Sequence, residues 1–238
     1  MKKEFKIFID FDGTITNADV GENIFLKFGD EKEVKRIIED LLTEKISSKQ
    51  CWLSLCESVH QINKDELDNF IDEFKIDPGF KDFIGLCKKN EVHHFILSDG
   101  FDYYIERILK RENLNDLKYY SNKLQIINNK LIPSFPHHDI DFPSSANCKR
   151  NHIINNSADE EYTVFIGDGN SDKSTIHFCD FIFAKDDLLK YCEKERISYF
   201  PFKNFNDVKR IMIKLLSKKR LKKRHQADLK RREAYIQE

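Results

Sequence analysis

Four short runs rich in Phe, Ile and Val constrain this chain more than any other feature: residues 5–9, 92–97, 162–166 and 181–183. Each is followed by a polar or glycine-containing turn and then by apolar residues at helical spacing. Continuous apolar runs of this length suit strands buried on both faces, and their alternation with helices predicts an α/β fold, a Rossmann-like parallel sheet flanked by helices. In open sheets of that kind ligands bind beyond the carboxyl ends of the strands, so the residues to read are Asp10, Ser98 and Asp168.

Between the first and second runs, residues 17–76 show only helical periodicity, with breaks near Gly29, Ser47-Ser48 and Asn63. This predicts an inserted cap of about four helices, resembling a four-helix bundle, and Asp77-Pro78-Gly79 returns the chain to the sheet. The domain reading is therefore a core of residues 1–16 and 77–202, a helical cap of 17–76, and a C-terminal helix with a basic tail, 203–238. Residues 123–127 and 131–132, joined through Asn128-Asn129-Lys130, predict a hairpin, and Pro133, Pro136 and Pro143 fix an irregular loop over 134–147. From Asn204 onward no Pro or Gly interrupts the chain, so it reads as a single helix.

With 238 residues, 40% of them hydrophobic and 20 of them Phe, the chain can bury a real core. No run approaches the roughly 18 apolar residues of a membrane span. The N-terminus, crowded with Lys2, Lys3, Glu4 and Lys6, lacks a signal-peptide pattern, which makes a cytoplasmic location the expectation. The six cysteines, at 51, 56, 87, 148, 179 and 192, form no C-x-x-C pair and read as small buried hydrophobes. Charge is uneven: residues 203–238 hold 13 Lys and Arg against 4 Asp and Glu, whereas the whole chain carries −1. A basic tail leaves nucleic acid open as a partner through charge alone, but Tyr235 is its only aromatic residue and no stacking pattern supports that reading.

Aspartate is depleted in strands, so Asp10 and Asp12 at the end of an apolar run ask for an explanation. A polar turn tipped by Asp12-Gly13 is one. The rest of the chain favours another: Ser98-Asp99-Gly100 follows the second run, Cys148-Lys149 follows the proline-bounded loop, and Gly167-Asp168-Gly169-Asn170-Ser171-Asp172 follows the third.

With these four segments the chain resembles the haloacid dehalogenase superfamily of aspartate-nucleophile phosphohydrolases, over roughly residues 5–202. The resemblance implies a magnesium-dependent phosphomonoester hydrolase acting through an aspartyl-phosphate. Asp10 is then the nucleophile, Asp12 the general acid and base, and Lys149 the cation that offsets the charge of the nucleophile and the phosphoryl group. Asp10, Asp12, Asp168 and Asp172 form the implied magnesium group, Asp12 through its backbone carbonyl and Asp172 as the partner that holds a metal-bound water or orients Lys149. Ser98, the backbone amides of Asp99 and Gly100, and Thr14 are implied to hold phosphoryl oxygens, at the start of a helix beginning near Phe101.

The cap's position between the first two motifs resembles the phosphoserine-phosphatase-like branch, in which the cap selects the substrate; Asp19 and Glu22 are the nearest polar candidates. The stretches Phe181-Ile182-Phe183-Ala184-Lys185-Asp186-Asp187 and Tyr199-Phe200-Pro201-Phe202, with Pro136-His137-His138-Asp139 and Cys148-Lys149, resemble the methionine-salvage phosphatases of 2-hydroxy-3-keto-5-methylthiopentenyl-1-phosphate. Ser98-Asp99 and Gly167-Asp168-Gly169 are also similar to phosphoethanolamine and phosphocholine phosphatases, and phosphoserine stays open as a substrate. His137 and His138 read as loop residues rather than metal ligands. The expected partner is a small phosphorylated metabolite, a homodimer is an allowed assembly, and a non-catalytic phosphate- or RNA-binding protein is the competing class.

Overall fold

The computed structural model describes residues 4–237, with side chains described through residue 234. Lys2 and Lys3 of the basic N-terminus, and the side chain of Tyr235, lie outside these described residues. The chain divides into two compact units, one made of the residues up to Ile15, Ile76–Leu97 and the residues from Lys149 onward, the other of Thr16–Lys75 and Ser98–Cys148.

The first unit is built on parallel strands. In it, β1 (Phe5–Ile9) pairs on one side with β2 (His93–Phe101) and on the other with β5 (Tyr162–Gly167); β5 pairs with β6 (Phe181–Ala184), and β6 with β7 (Phe200–Pro201). The two remaining strands, β3 (Tyr119–Ile127) and β4 (Lys130–Ser134), belong to the second unit. Ile7, Phe8 and Ile9 of β1 and Val164, Phe165 and Ile166 of β5 are all fully buried, as expected of central strands covered on both faces. The order around β1 reverses, since the chain leaves it for β2 on one flank and returns to its other flank as β5. That reversal is the switch point at which such sheets bind ligands. Helices α5 (Phe80–Lys89), α7 (Lys149–Asn155), α8 (Asp186–Lys194) and α9 (Phe205–Ser217) accompany these strands. Asp77 fixes the return into the sheet: its carboxylate accepts the N–H of Gly79 at 2.8 Å and of Phe205 at 3.3 Å, joining the start of α5 to the start of α9.

In the second unit the residues between motifs form the expected four helices, α1 (Val20–Phe28), α2 (Glu31–Leu42), α3 (Ser48–Ser58) and α4 (Lys64–Glu73). The sequence breaks act as caps. Asp19 accepts from Glu22 N, Asp30 from Glu33 N, Ser47 from Gln50 N in a reciprocal capping box, and Asn63 from Asp65 N and Glu66 N. Within the same unit α6 (Asp102–Arg111) is tied to α4 by Arg107, which meets Asp68 at 3.0 Å and Asp72 at 2.6 Å. The hairpin is longer than predicted: β3 begins at Tyr119, and Pro133 lies inside β4 opposite Leu124. Asn128 and Asn129 both adopt positive φ (50° and 59°), the left-handed pair that a two-residue hairpin turn requires. Strand β2 also runs further than the expected end at 97, through Ser98, Asp99 and Gly100, so that α6 starts directly after Phe101.

The tail departs from the single predicted helix. It is α9, then a non-helical segment over 218–224, then α10 (His225–Gln237). No Pro or Gly causes the break; a helix through this segment would stack Lys218 on Lys222, Lys219 on Lys223 and Arg220 on Arg224, three like-charge pairs at i,i+4. The extended chain instead gives its Leu221 carbonyl to the Tyr162 hydroxyl at 3.1 Å and the Arg224 guanidinium to the Ile176 carbonyl at 2.5 Å. The following helix is anchored rather than solvated on all sides: Arg231, 2% exposed, donates to Thr163 Oγ1 at 2.9 Å and the Phe178 carbonyl at 2.6 Å and pairs with Asp180 at 3.4 Å. Removing one partner of a buried ion pair leaves the other charge stranded, which costs about 3–5 kcal/mol. Arg231→Ala is therefore expected to lower the melting temperature by about 6–20 °C, measured by thermal unfolding; an unchanged midpoint would show that the tail does not dock in solution.

Candidate active site

Adjacent strands deliver the acidic residues to one edge. Ile9 of β1 is in register with Ile166 of β5, and the Asp10 N–H continues the ladder onto the Ile166 carbonyl at 2.9 Å. Asp10 and Asp168 thus leave the sheet side by side, each just past the end of its strand. Lys149, the first residue of α7, reaches between them. Its ammonium donates to Asp10 Oδ1 at 2.5 Å, to Asp172 Oδ1 at 2.7 Å and to Ser171 Oγ at 3.0 Å, which uses all three of its protons. Both Lys149 and Asp172 are buried.

The turns around this cluster depend on glycine at two positions. Gly13 has φ +74°, and a Cβ there would collide with the Asp168 carboxylate. Beyond it the chain turns back, with the N–H groups of Thr14 and Ile15 both bonded to the Phe11 carbonyl, and Thr14 Oγ1 donates to Asp168 Oδ1 at 2.5 Å. Gly167 likewise leaves the space that the Asp172 carboxylate occupies. Asp172 Oδ2 accepts the N–H of Asp168 and of Gly169, each at 3.2 Å, so it braces the loop that carries Asp168 while its other oxygen holds Lys149.

Burial raises the Asp10 carboxyl well above its ordinary range; Lys149 opposes the rise, while Asp172 and Asp168 add to it. Asp168 is pushed to about 6, by burial first and then by repulsion from Asp172. Burial pulls the Lys149 ammonium down, but Asp10 and Asp172 outweigh it and hold it charged. Three carboxyl groups face one ammonium, so ionising all three leaves two negative charges uncompensated. The ligand oxygens of Asp10, Asp168 and Asp172 all lie within 4.8 Å of one another, and this is the one such cluster of potential metal ligands among the described residues. An all-carboxylate set with a charge deficit of two fits a hard divalent cation such as magnesium. Asp10 Oδ2 and Asp168 Oδ2 are the oxygens that the bonds above leave to it, since both oxygens of Asp172 are drawn on by Lys149 and the two amides.

The other predicted residues are placed as follows. Asp12 is half-buried just after β1. Ser98, Asp99 and Gly100 fall in the second unit, where the Gly100 N–H donates to Ser98 Oγ at 3.0 Å. Asp19 and Glu22, both exposed, stand at the start of α1, where Asp19 Oδ1 accepts the Glu22 N–H at 2.7 Å as the helix cap. His138 meets the Ser145 carbonyl through Nδ1 at 3.0 Å, and the ring of His137 packs edge-on to Tyr120. All six cysteines are buried and none is in a disulfide. The sequence reading gave no role to Ser171, which completes the Lys149 shell, or to Asn147, which bonds Ser98 and Asp99; the polar run before Lys149 was the one signal for the latter.

A carboxyl raised to about 6 binds its proton more tightly in the folded than in the unfolded chain, so its ionisation costs stability above pH 6, and that cost disappears as pH falls toward 4. Asp168→Asn should therefore stabilise the protein without added metal by about 3 kcal/mol at pH 7.5, with no gain at pH 4. The same substitution should abolish the rise in melting temperature that magnesium produces in the unsubstituted protein. A magnesium response that survives in Asp168→Asn would remove Asp168 from the metal set.

Residues 7–177 match the sequence model of the haloacid dehalogenase-like hydrolases. Over 222 residues the chain is 30% identical to Pdp3-interacting factor 1 of Schizosaccharomyces pombe, covering 90% of this chain and 97% of that protein. Over 218 residues it is 29% identical to 2-hydroxy-3-keto-5-methylthiopentenyl-1-phosphate phosphatase of Bacillus cereus, covering 90% and 98%. Among solved structures, a phospho-aspartyl intermediate analogue of phosphoserine phosphatase superposes with a TM-score of 0.70 at 21% identity, over 90% of this chain and 99% of that one. The match spans most of the chain, the parallel sheet has the same fold, and the acidic cluster stands at its carboxyl edge; the chain belongs to the haloacid dehalogenase-like hydrolases.

Proposed function

We propose that this phosphoric monoester hydrolase cleaves a small phosphorylated metabolite in the cytoplasm through an aspartyl-phosphate on Asp10. The observation that carries the reading is the buried Lys149 ammonium, held at 2.5 Å from Asp10 and 2.7 Å from Asp172. By fixing the Asp10 carboxylate, the ammonium sets the direction from which that group attacks phosphorus. The ammonium also opposes the burial that favours the protonated form of Asp10. Magnesium, when bound through Asp10 and Asp168, supplies charge neutralisation for the incoming phosphate and its transition state.

Asp12 gives its proton to the leaving alcohol and later takes one from the water that releases phosphate. Thr14 holds Asp168 in place, and Ser98 with the adjoining backbone receives phosphoryl oxygens. The substrate favoured is 2-hydroxy-3-keto-5-methylthiopentenyl-1-phosphate or a close analogue. Its support is the name of the Bacillus relatives, which align over nearly their whole length, together with the resemblance in the 181–202 stretch and around Lys149. Asp19 and Glu22 are assigned to the substrate side of the cap, formed by α1–α4.

Hydrolysis of an aryl phosphate with added magnesium tests the activity, and Asp10→Asn is expected to lower kcat by roughly 1,000-fold or more. In kcat/KM, which reports the steps up to release of the alcohol, Asp12→Asn should cost about 100-fold with alkyl phosphates and much less with an aryl phosphate, whose leaving group needs no proton. Equal losses on both would sink the acid assignment. In a screen by kcat/KM against phosphoserine, phosphoethanolamine and phosphocholine, the methylthiopentenyl ester is expected to rank first, and any other winner replaces it.

A further inference from the structure

The end of β2 that carries Ser98 is held by hydrogen bonds that the proposed chemistry does not use. Asp99 Oδ1 accepts the backbone N–H of Asn147 at 2.8 Å, and Asp99 Oδ2 accepts the hydroxyl of Ser48, the first residue of α3. The side chain of the same Asn147 donates through Nδ2 to the carbonyls of Ser98 at 2.7 Å and Tyr120 at 3.0 Å. Asn122, on β3, donates through Nδ2 to the Asp99 carbonyl at 2.5 Å. Both carbonyls and the carboxylate of one dipeptide are therefore bound by residues 23 to 51 positions away.

Two features set this network apart from ordinary loop bonding. Asn122 is fully buried and its Oδ1 has no hydrogen-bond partner. The amide orientation that reaches Asp99 thus leaves a buried acceptor desolvated and unpaired, which native structures tolerate rarely. Asn147, also fully buried, supplies both its backbone N–H and its side chain to the Ser98-Asp99 dipeptide.

We infer that Asp99 is a positioning residue: bound by Ser48 and Asn147, its carboxylate fixes the Ser98–Gly100 end of β2 in the geometry that receives phosphoryl oxygens. The inference rests on the phosphatase reading above, which gives Ser98 the phosphate. Asp99 acts through the geometry of accepted hydrogen bonds and not through its charge toward a substrate, since each of its oxygens already serves a neighbour in its own unit. An amide in its place keeps the shape and the acceptor for Asn147 N–H, and can donate to Ser48 Oγ.

The experiment compares the full-length protein with Asp99→Ala, Asp99→Asn and Ser48→Ala. It measures the Kd of inorganic phosphate by calorimetry in saturating magnesium, and kcat/KM on phosphoethanolamine and on an aryl phosphate. Phosphate binding is expected to weaken about tenfold in Asp99→Ala, about threefold in Ser48→Ala and less than threefold in Asp99→Asn. The magnesium-induced rise in melting temperature should be retained in all three, and both esters should lose equally. Wild-type phosphate affinity in Asp99→Ala overturns the inference. So does an Asp99→Asn variant as impaired as Asp99→Ala with the loss confined to phosphoethanolamine, which would assign Asp99 to recognition of a substrate ammonium. If Asp99→Ala does not fold, Ser48→Ala decides, and unchanged phosphate affinity there is equally fatal. A wild-type protein that binds phosphate yet turns over neither ester would defeat the hydrolase reading, while the binding comparison still judges Asp99.

Discussion

The site is organised by one buried ammonium. Moving an ion out of water costs several kcal/mol even after relaxation, so Lys149 is stable in its place only because each of its three protons meets an oxygen of Asp10, Asp172 or Ser171. The converse holds for the acids: without the lysine, three carboxylates would repel one another in a low-dielectric environment, and the burial that raises Asp10 would leave it protonated. Reactivity and local architecture thus have a single source. The group that offsets the charge of Asp10 also fixes its orientation, and Asp172 supports both by holding the ammonium with one oxygen and the Asp168 loop with the other.

Strand β5 carries a second buried ion pair at its other end, and the two clusters show why one reads as a site and the other as a fastening. Where β5 begins, Asp180 accepts from Arg231, from the Arg224 N–H and from both the N–H and the hydroxyl of Thr163. There the cations outnumber the acid, and the acid is enclosed by donors. Where β5 ends, the acids outnumber the cation by two, and oxygens of Asp10 and Asp168 remain to be used. The parallel sheet adds polarity to this difference, because side chains converge beyond its carboxyl edge.

Much of this was legible in the chain because central parallel strands are written as uninterrupted apolar runs. Phe5–Ile9 was read with its full boundaries, and the carboxylates after it stand out against that background. The breaks at Gly29, Ser47-Ser48 and Asn63 were legible for a similar local reason, since a cap acts on amides two or three residues away. Features set by distant partners were not legible. The tail breaks through repulsion within Lys218 to Arg224 and through bonds to Tyr162 and Ile176, and no helix-breaking residue announces it. Asn147 looked like one more polar residue in a proline-bounded loop; its role depends on Ser98 and Asp99, 49 and 48 positions earlier.

The same distinction governs how specificity should be sought. A polar residue close in sequence to Asp10 is an economical guess at a substrate contact, but proximity ignores what the local backbone demands first. Asp19 shows the conflict: its carboxylate caps α1 through the Glu22 amide at 2.7 Å, and Glu22 occupies the first turn of that helix, where an acid is favoured by the exposed amides with no ligand present. Both residues would be selected by helix formation alone. Asp10, buried, and Asp168, half-buried, are different, because no element of secondary structure needs a carboxylate held out of water after a strand, and their ionisation opposes folding. Residues whose chemistry is costly to the fold therefore identify the reaction more securely than residues whose chemistry the fold already uses, and the substrate has to be traced from groups of the first kind outward.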